Sequence, residues 1–321
     1  MMAYNPPFQI SSSMLNQVAS ISEQIGRLAS EPSALTLRRI NHIRSVQGSL
    51  AIEGNTLSEE QITAILDGKR VIAPPREILE AQNALAVYAS IDHWQPEREQ
   101  DLFDAHQQMM HGLIEEAGRY RHGDVGVVSG KQIIHRAPPA SRVSGLMQDL
   151  FHWLASTDVH PLIASSIFHY EFEFIHPFAD GNGRLGRLWQ TLILSCWKSL
   201  FRDIPVENMV HQHQQDYYLA IQQSTQQGSS SVFIVFMLKM IEDAIGAGIN
   251  AGVNAGINLT ELDHAMLGLI GDNPHISSAR MAEQLGKSPS TIERRIGRLK
   301  SHGVIERMGA RKTGYWKIRM P

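Results

Sequence analysis

Cysteine is nearly absent: Cys196 is the one thiol in 321 residues. A lone thiol excludes an intramolecular disulfide and fits a reducing compartment, so the expected location is the cytoplasm. It also excludes a zinc site built on paired cysteines. Within LILSCWKSL, Cys196 is expected to be a buried small hydrophobe. Long apolar runs are missing as well. The longest, Val232 to Leu238, is closed by Lys239 and is too short to span a bilayer as a helix, so no membrane partner is expected. The opening residues MMAYNPPFQISSS lack a basic stretch followed by an apolar core, which argues against a secretory signal. What remains is ordinary for a globular chain, with 43% hydrophobic and 19% charged residues, and long enough for two or three domains.

The net charge of -3 conceals an asymmetry. Residues 259–321 hold 11 Lys+Arg against 6 Asp+Glu, a balance of +5, while the remainder, 18 against 26, stands at -8. A basic unit appended to an acidic body suggests a module for a polyanion.

Periodicity makes the body almost wholly helical. Leu37, Ile40, Ile43, Val46 and Leu50 recur at helical spacing, and Gly54-Asn55 stops that helix. Thr56 and Ser58, with Glu59 and Gln61 three residues on, offer capping boxes for the next. Further helices are predicted over 76–94, 97–117, 141–156, 161–175, 184–200, 211–226 and 231–246. One segment departs from this. RHGDVGVVSGKQIIHRAPP carries short β-branched runs around Ser129-Gly130 and predicts a β-hairpin over about 123–137. From Ala247 the tetrapeptide Ala-Gly-Ile/Val-Asn repeats three times, which predicts a linker or weak helix and marks a domain boundary. The last segment has three short helical patterns and two strands around Gly-Ala-Arg-Lys-Thr-Gly, the outline of a winged helix-turn-helix. The fold class is therefore mainly α. The expected division is a helical N-terminal region 1–110, a core 111–246, a linker 247–259 and a winged helix 260–321.

The densest chemistry lies in HPFADGNGRLGR, residues 176–187. Pro177 disfavours helix at His176, so the preceding helix should end there. Gly181-Asn182-Gly183 lets the backbone approach a ligand, and a helix starting near Arg184 offers free N–H groups to phosphate. Arg184 and Arg187, three apart, share a helix face. Asp180 suits a magnesium ion that phosphates also hold, and His176 is placed to take a proton from an attacking hydroxyl. Together these fit phosphoryl or nucleotidyl transfer, in which positioning and charge neutralisation dominate. Gly181, Gly183 and Gly186 also match a dinucleotide fingerprint, but no strand precedes them, which excludes that reading.

The stretch resembles the signature H-x-F-x-[D/E]-G-N-G-R-x-x-R of the Fic family at every fixed position. The resemblance implies transfer of AMP from ATP to a hydroxyl of a protein, the chain itself or a partner, with Mg²⁺ as cofactor. It implies His176 as general base, Asp180 as metal ligand, and Gly181, Asn182 and Gly183 as the loop around the phosphates. Arg184 would touch the α- and β-phosphates and Arg187 the γ-phosphate. SLAIEGN at 49–55 resembles the family's inhibitory motif through Ser49, Glu53 and Gly54. By that resemblance Glu53 pairs with Arg187 and blocks the γ-phosphate position, and in some relatives the same glutamate assists removal of AMP. Tyr217-Tyr218 resembles a tyrosine pair of which one member, taken as Tyr218, lies against adenine. The hairpin occupies the place of the family's flap, and relatives imply a homodimer. In the winged helix, Arg294, Arg295, Arg298 and Lys300 on the expected recognition helix, with Arg311 and Lys312 in the wing, suit DNA. A DNA-binding regulator whose core senses nucleotide is the alternative to an enzyme.

Overall fold

The computed structural model describes residues 4–29, 38–129, 132–255, 260–301, 304–308 and 314–318. Leu37, Gly130, Lys131, Arg311 and Lys312, used above for a helix, the turns and the wing, lie outside them. The chain divides into two compact units, one ending at Gly246 and the other beginning at Ala247.

The first unit is built from α1 (Ser12–Ala29), α2 (Arg38–Ile52), α3 (Glu59–Leu66), α4 (Pro75–Ala89), α5 (Glu99–Met109), α6 (Ala140–Ser156), α7 (Pro161–Ile175), α8 (Asn182–Trp197), α9 (Val206–Gln212), α10 (Gln214–Gln227) and, up to Gly246, α11 (Ser231–Ala255). An antiparallel hairpin of β1 (Gly126–Ser129) and β2 (Gln132–Arg136) interrupts the helices, as its β-branched runs predict. Its register shifts between Val127 and Val128. At the centre α7 packs along α8, its most extensive neighbour. Leu162, Ile167, Phe168 and Phe172 on α7 and Leu185, Leu188 and Trp189 on α8 have no exposed surface. A helix buried on every side is a core helix, so both ends of the loop between α7 and α8 are fixed by packing.

Ser58 caps α3 as expected, in a capping box with Gln61. Other boundaries differ. The helix expected over 97–117 stops at Met109, and Gly112, just beyond its end, takes a left-handed backbone angle that a continuing helix does not allow. The helix expected over 211–226 is two, α9 and α10, parted at His213. The repeat at 247 onward continues α11 to Ala255, since extending an existing helix costs less than starting one. Cys196 is exposed, contrary to expectation, because the last turn of α8 leaves the core.

The second unit holds α12 (Glu261–Asp272), α13 (Ser278–Gln284), α14 (Pro289–Ser301) and the antiparallel pair β3 (Ile305–Met308) and β4 (Tyr315–Ile318). Met266, Ile270, Met281, Ile292, Leu299 and Trp316 form its core. The indole N–H of Trp316 donates to the Ile276 carbonyl at 3.0 Å and pins the wing to the helices.

Candidate active site

The signature begins where α7 stops. His176 has φ 51°, the one positive value among described non-glycine residues. Its N–H still bonds the Phe172 carbonyl at 2.9 Å, closing the helix in a left-handed cap before Pro177. Such a conformation costs about 1–2 kcal/mol outside glycine. Arg121 supplies the restraint. This buried guanidinium donates to the carbonyls of His176 at 2.8 Å, Gly123 at 2.8 Å, Pro138 at 2.5 Å and Ile175 at 3.3 Å. It therefore ties the imidazole's backbone to both feet of the β1–β2 hairpin.

The floor of the loop is equally constrained. Phe178 is fully buried and stacks on His106, ring centroids 3.7 Å apart. The Asn182 amide accepts from the Phe178 N–H and donates to its carbonyl, both at 2.9 Å. The Nδ1 of His106 accepts from the Gly118 N–H at 2.8 Å, so its Nε2 carries the proton and donates to the Asp180 carbonyl at 3.0 Å. Burial pushes the His106 pKa down to about 4, which keeps this tautomer neutral. Gly181 opens α8 at φ 83° and no side chain caps the helix, leaving its first amides directed at the loop. A side chain at Gly181 would stand 2.6 Å from the Met110 sulfur, so the position requires glycine on two counts.

Charge is arranged above this floor. Arg184 is buried, with Nη2 3.2 Å from Asp180 Oδ1 and Nη1 3.8 Å from Glu80 Oε1. Its Nε has no hydrogen-bond partner among the described residues. Arg76 approaches Asp180 at 3.5 Å and Glu80 at 3.3 Å, and Asn55 donates to Glu80 at 2.9 Å. Arg187 is 2% exposed, and α2 meets it from across the fold. Its Nε donates to Ser49 Oγ at 3.3 Å, and Nη2 to the Ser49 carbonyl at 3.0 Å and to Glu53 Oε1 at 2.6 Å. Burial works against charge on Arg187; the Glu53 carboxylate outweighs it and holds the pKa above the usual arginine range. A Cβ at Gly183 would collide with the Glu53 carboxylate, so this glycine admits the pair.

His176, Asp180, Gly181, Asn182, Gly183, Arg184, Arg187, Ser49 and Glu53 thus fall in one place. Tyr218 is drawn to the end of α2: its hydroxyl reaches the Ile52 carbonyl at 3.4 Å, beside Gln214 Nε2 at 2.7 Å. Tyr217 is a packing residue, 1% exposed against His169 and Phe233. Local patterns gave no sign of Arg121, His106, Glu80 or Gln214, whose partners all lie far along the chain.

In the second unit, Arg294 and Lys300 are exposed on α14 and Arg298 lies on the same helix. Arg295 turns inward, Nη1 donating to Asp263 Oδ2 at 3.0 Å, where Asp263 already completes a capping box with Thr260. Its guanidinium is committed to the fold rather than to an outside phosphate.

Comparison with known proteins agrees with this geometry. The Fic/DOC family model matches residues 96–194, and a winged helix-turn-helix DNA-binding model matches residues 259–306. A Fic family protein from Desulfovibrio desulfuricans G20 superposes with a TM-score of 0.75 at 43% identity, covering 99% of each chain. Fic-1 of Caenorhabditis elegans, residues 134–508, superposes with a TM-score of 0.63 at 25% identity, covering 74% of this chain and 72% of that one. Protein adenylyltransferase Fic of Nematostella vectensis is 29% identical over 255 residues, 74% of this chain and 56% of its own. That of Drosophila virilis is 32% identical over 165 residues, 48% of this chain and 33% of its own. The chain thus spans about half the length, or less, of the curated relatives it matches. A helical core with a hairpin and this loop, together with a winged helix, defines the fold class. The chain belongs to the Fic family. Among the described residues no helix is long and apolar enough to cross a membrane.

Proposed function

We propose that the chain transfers AMP from ATP to a Ser, Thr or Tyr hydroxyl of a protein, itself or a partner, and that Glu53 restrains it. The relatives named as protein adenylyltransferases support the reaction class. One observation carries the restraint: Arg187, buried and cationic, is held at 2.6 Å by a Glu53 carboxylate that is 37% exposed. A γ-phosphate arriving from solvent competes for that guanidinium, and while Glu53 stays, the triphosphate lies in a non-productive pose.

The chemistry follows from the residues. His176 accepts the proton of the attacking hydroxyl. Its oxygen forms a bond to the α-phosphorus as the bond to the bridging oxygen breaks, and pyrophosphate leaves with the electron pair. The open amides of α8, Arg184 and Arg187 neutralise the phosphates in place. Mg²⁺ fits Asp180, whose carboxylate is 42% exposed beside those amides, since phosphate-bound magnesium needs few protein carboxylates. The ion would neutralise phosphate charge, and no cluster of three or more His, Cys, Asp or Glu able to hold a metal exists among the described residues.

Incubation with labelled ATP and Mg²⁺, read by intact mass, tests this. Glu53→Gly gains at least one AMP and far exceeds wild type, and Glu53→Gly with His176→Ala gains none. Equal labelling of wild type and Glu53→Gly removes the restraint from the reading, and no labelling of either removes the reaction.

The match to a DNA-binding winged helix favours a second activity, DNA binding by the C-terminal unit, with Arg294 and Lys300 on its exposed face. Retention on duplex DNA that falls with added salt is the expected result.

A further inference from the structure

Glu173 lies one turn before His176 on α7 and has no place in the reaction as drawn. Its side chain is 8% exposed. One oxygen, Oε2, stands 4.0 Å from Nδ1 of His176, and the other, Oε1, stands 3.9 Å from Nε2 of His169. Among the described residues Oε1 has no hydrogen-bond partner. Gly186 presses α8 over this carboxyl so closely that an added Cβ would lie 3.2 Å from Oε1.

His169 cannot serve as its donor. Nδ1 of His169 is 2.6 Å from Gln190 Oε1, an acceptor, so Nδ1 carries the proton. Nε2 then accepts from the Tyr217 hydroxyl at 3.1 Å and turns no hydrogen toward Glu173. Burial pushes the His169 pKa down to about 3, so the ring stays neutral. The other charged groups facing Glu173 are Arg187 of α8 and Glu53 beyond α2, with the Tyr217 hydroxyl of α10 beside them. The imidazole able to bring a proton to this carboxylate is that of His176.

We infer that Glu173 is a positioning residue for His176: its carboxylate faces the Nδ1–H as acceptor, keeps the proton on that nitrogen and so leaves Nε2 bare toward the attacking hydroxyl. Which nitrogen of a histidine is protonated is set by the partner of the other nitrogen. The proton on Nδ1 stays there throughout, and the hydroxyl proton goes to Nε2 as the oxygen–phosphorus bond forms. A carboxylate behind the ring holds its orientation and stabilises the imidazolium that results. Burial pushes the Glu173 pKa up to about 7, with Arg187 pulling it down and Glu53 pushing it up, so the carboxyl ionises as the pH passes through neutrality. The inference rests on the AMP-transfer reading for its kinetics but not for its first test.

That test is the ¹⁵N spectrum of His176 in the full chain at pH 8.5. Wild type and Glu173→Asp show the Nδ1–H tautomer in excess, and Glu173→Gln loses that excess while its melting temperature is retained. An unchanged tautomer in Glu173→Gln overturns the inference, whatever the enzyme does. The second test uses the Glu53→Gly background. Adding Glu173→Gln lowers kcat about 10- to 100-fold, within the range of general-base effects, with KM for ATP within about twofold. It also displaces the acid limb of the pH–rate profile, which belongs to the coupled pair, and Glu173→Asp recovers much of the loss. A kcat within about twofold and an unmoved limb overturn it; a Glu53→Gly protein that transfers no AMP overturns the functional reading instead, and the tautomer still decides the role of Glu173.

Discussion

Each unit of the chain contains an arginine–carboxylate pair of similar length and opposite burial. In the first, Arg187 meets Glu53 at 2.6 Å, the cation 2% and the acid 37% exposed. In the second, Arg295 meets Asp263 at 3.0 Å, the cation 21% and the acid 1% exposed. The buried partner is the one that cannot go uncompensated, because returning a charge to a low-dielectric interior is costly. Around Arg187 the exposed partner is an anion, and solvent can supply another one, a phosphate. Around Asp263 the exposed partner is a cation, and the acid is further locked by the N–H and hydroxyl of Thr260 at 2.8 and 2.9 Å. The first pair is therefore an exchangeable contact and the second a staple.

Removing the buried cation breaks the comparison most severely. In the Glu53→Gly background, Arg187→Ala is expected to lower the initial rate of AMP transfer about 100-fold, the scale of one lost transition-state donor. Glu53 is already gone there, so its carboxylate is not left behind; buried Glu173, which Arg187 also faces, then ionises less readily. A rate within threefold of the parent shows that Arg187 serves only to hold α2.

This contrast also separates what sequence carries from what it does not. His176 to Arg187 is legible because its chemistry is local: one turn supplies imidazole, carboxylate, glycines and guanidiniums within twelve positions. Glu53 and Arg187 are 134 residues apart, and only likeness to a known motif joins them. Arg121 and His106 left no pattern, since each works by bonding main-chain groups brought near by tertiary packing. Arg295 was grouped with Arg294 by charge alone. Its neighbour in space, Asp263, decides otherwise. The helix expected to reach residue 117 ends before Gly112, whose left-handed angle depends on the packed chain around it.

The second pair gives the next effect. Arg295→Ala leaves Asp263 buried and without its ion partner, which is expected to destabilise the winged helix by about 2 kcal/mol, below the full cost of a stranded charge because Thr260 still donates to the acid. Arg294→Ala, on the exposed face, changes stability by less than about 0.5 kcal/mol. It lowers the salt slope of DNA retention by about 1 if its guanidinium meets a phosphate. Urea unfolding and DNA retention of the two variants decide this. Equal stability losses erase the distinction between staple and surface.

The smallest effect concerns how α2 brings Glu53 to Arg187. Gly48 lies one turn before Ile52, where α2 touches the backbone of α9: a Cβ there would stand 2.6 Å from the Asn208 nitrogen. The close approach fixes the depth of α2 and with it the reach of Ser49 and Glu53. Gly48→Ala therefore pushes α2 away from α9, at an overpacking cost of about 1–3 kcal/mol. Part of that strain is relieved by lengthening the Glu53–Arg187 contact. Basal AMP transfer is then expected to rise about threefold, which corresponds to about 0.7 kcal/mol of lost restraint, well short of the gain from Glu53→Gly. The same substitution added to Glu53→Gly leaves the rate unchanged, because no restraint remains to be weakened. If instead Gly48→Ala raises the rate equally in both backgrounds, α2 acts on the site by a route other than its glutamate. The exchangeable contact would then be a consequence of the helix position rather than the means of restraint.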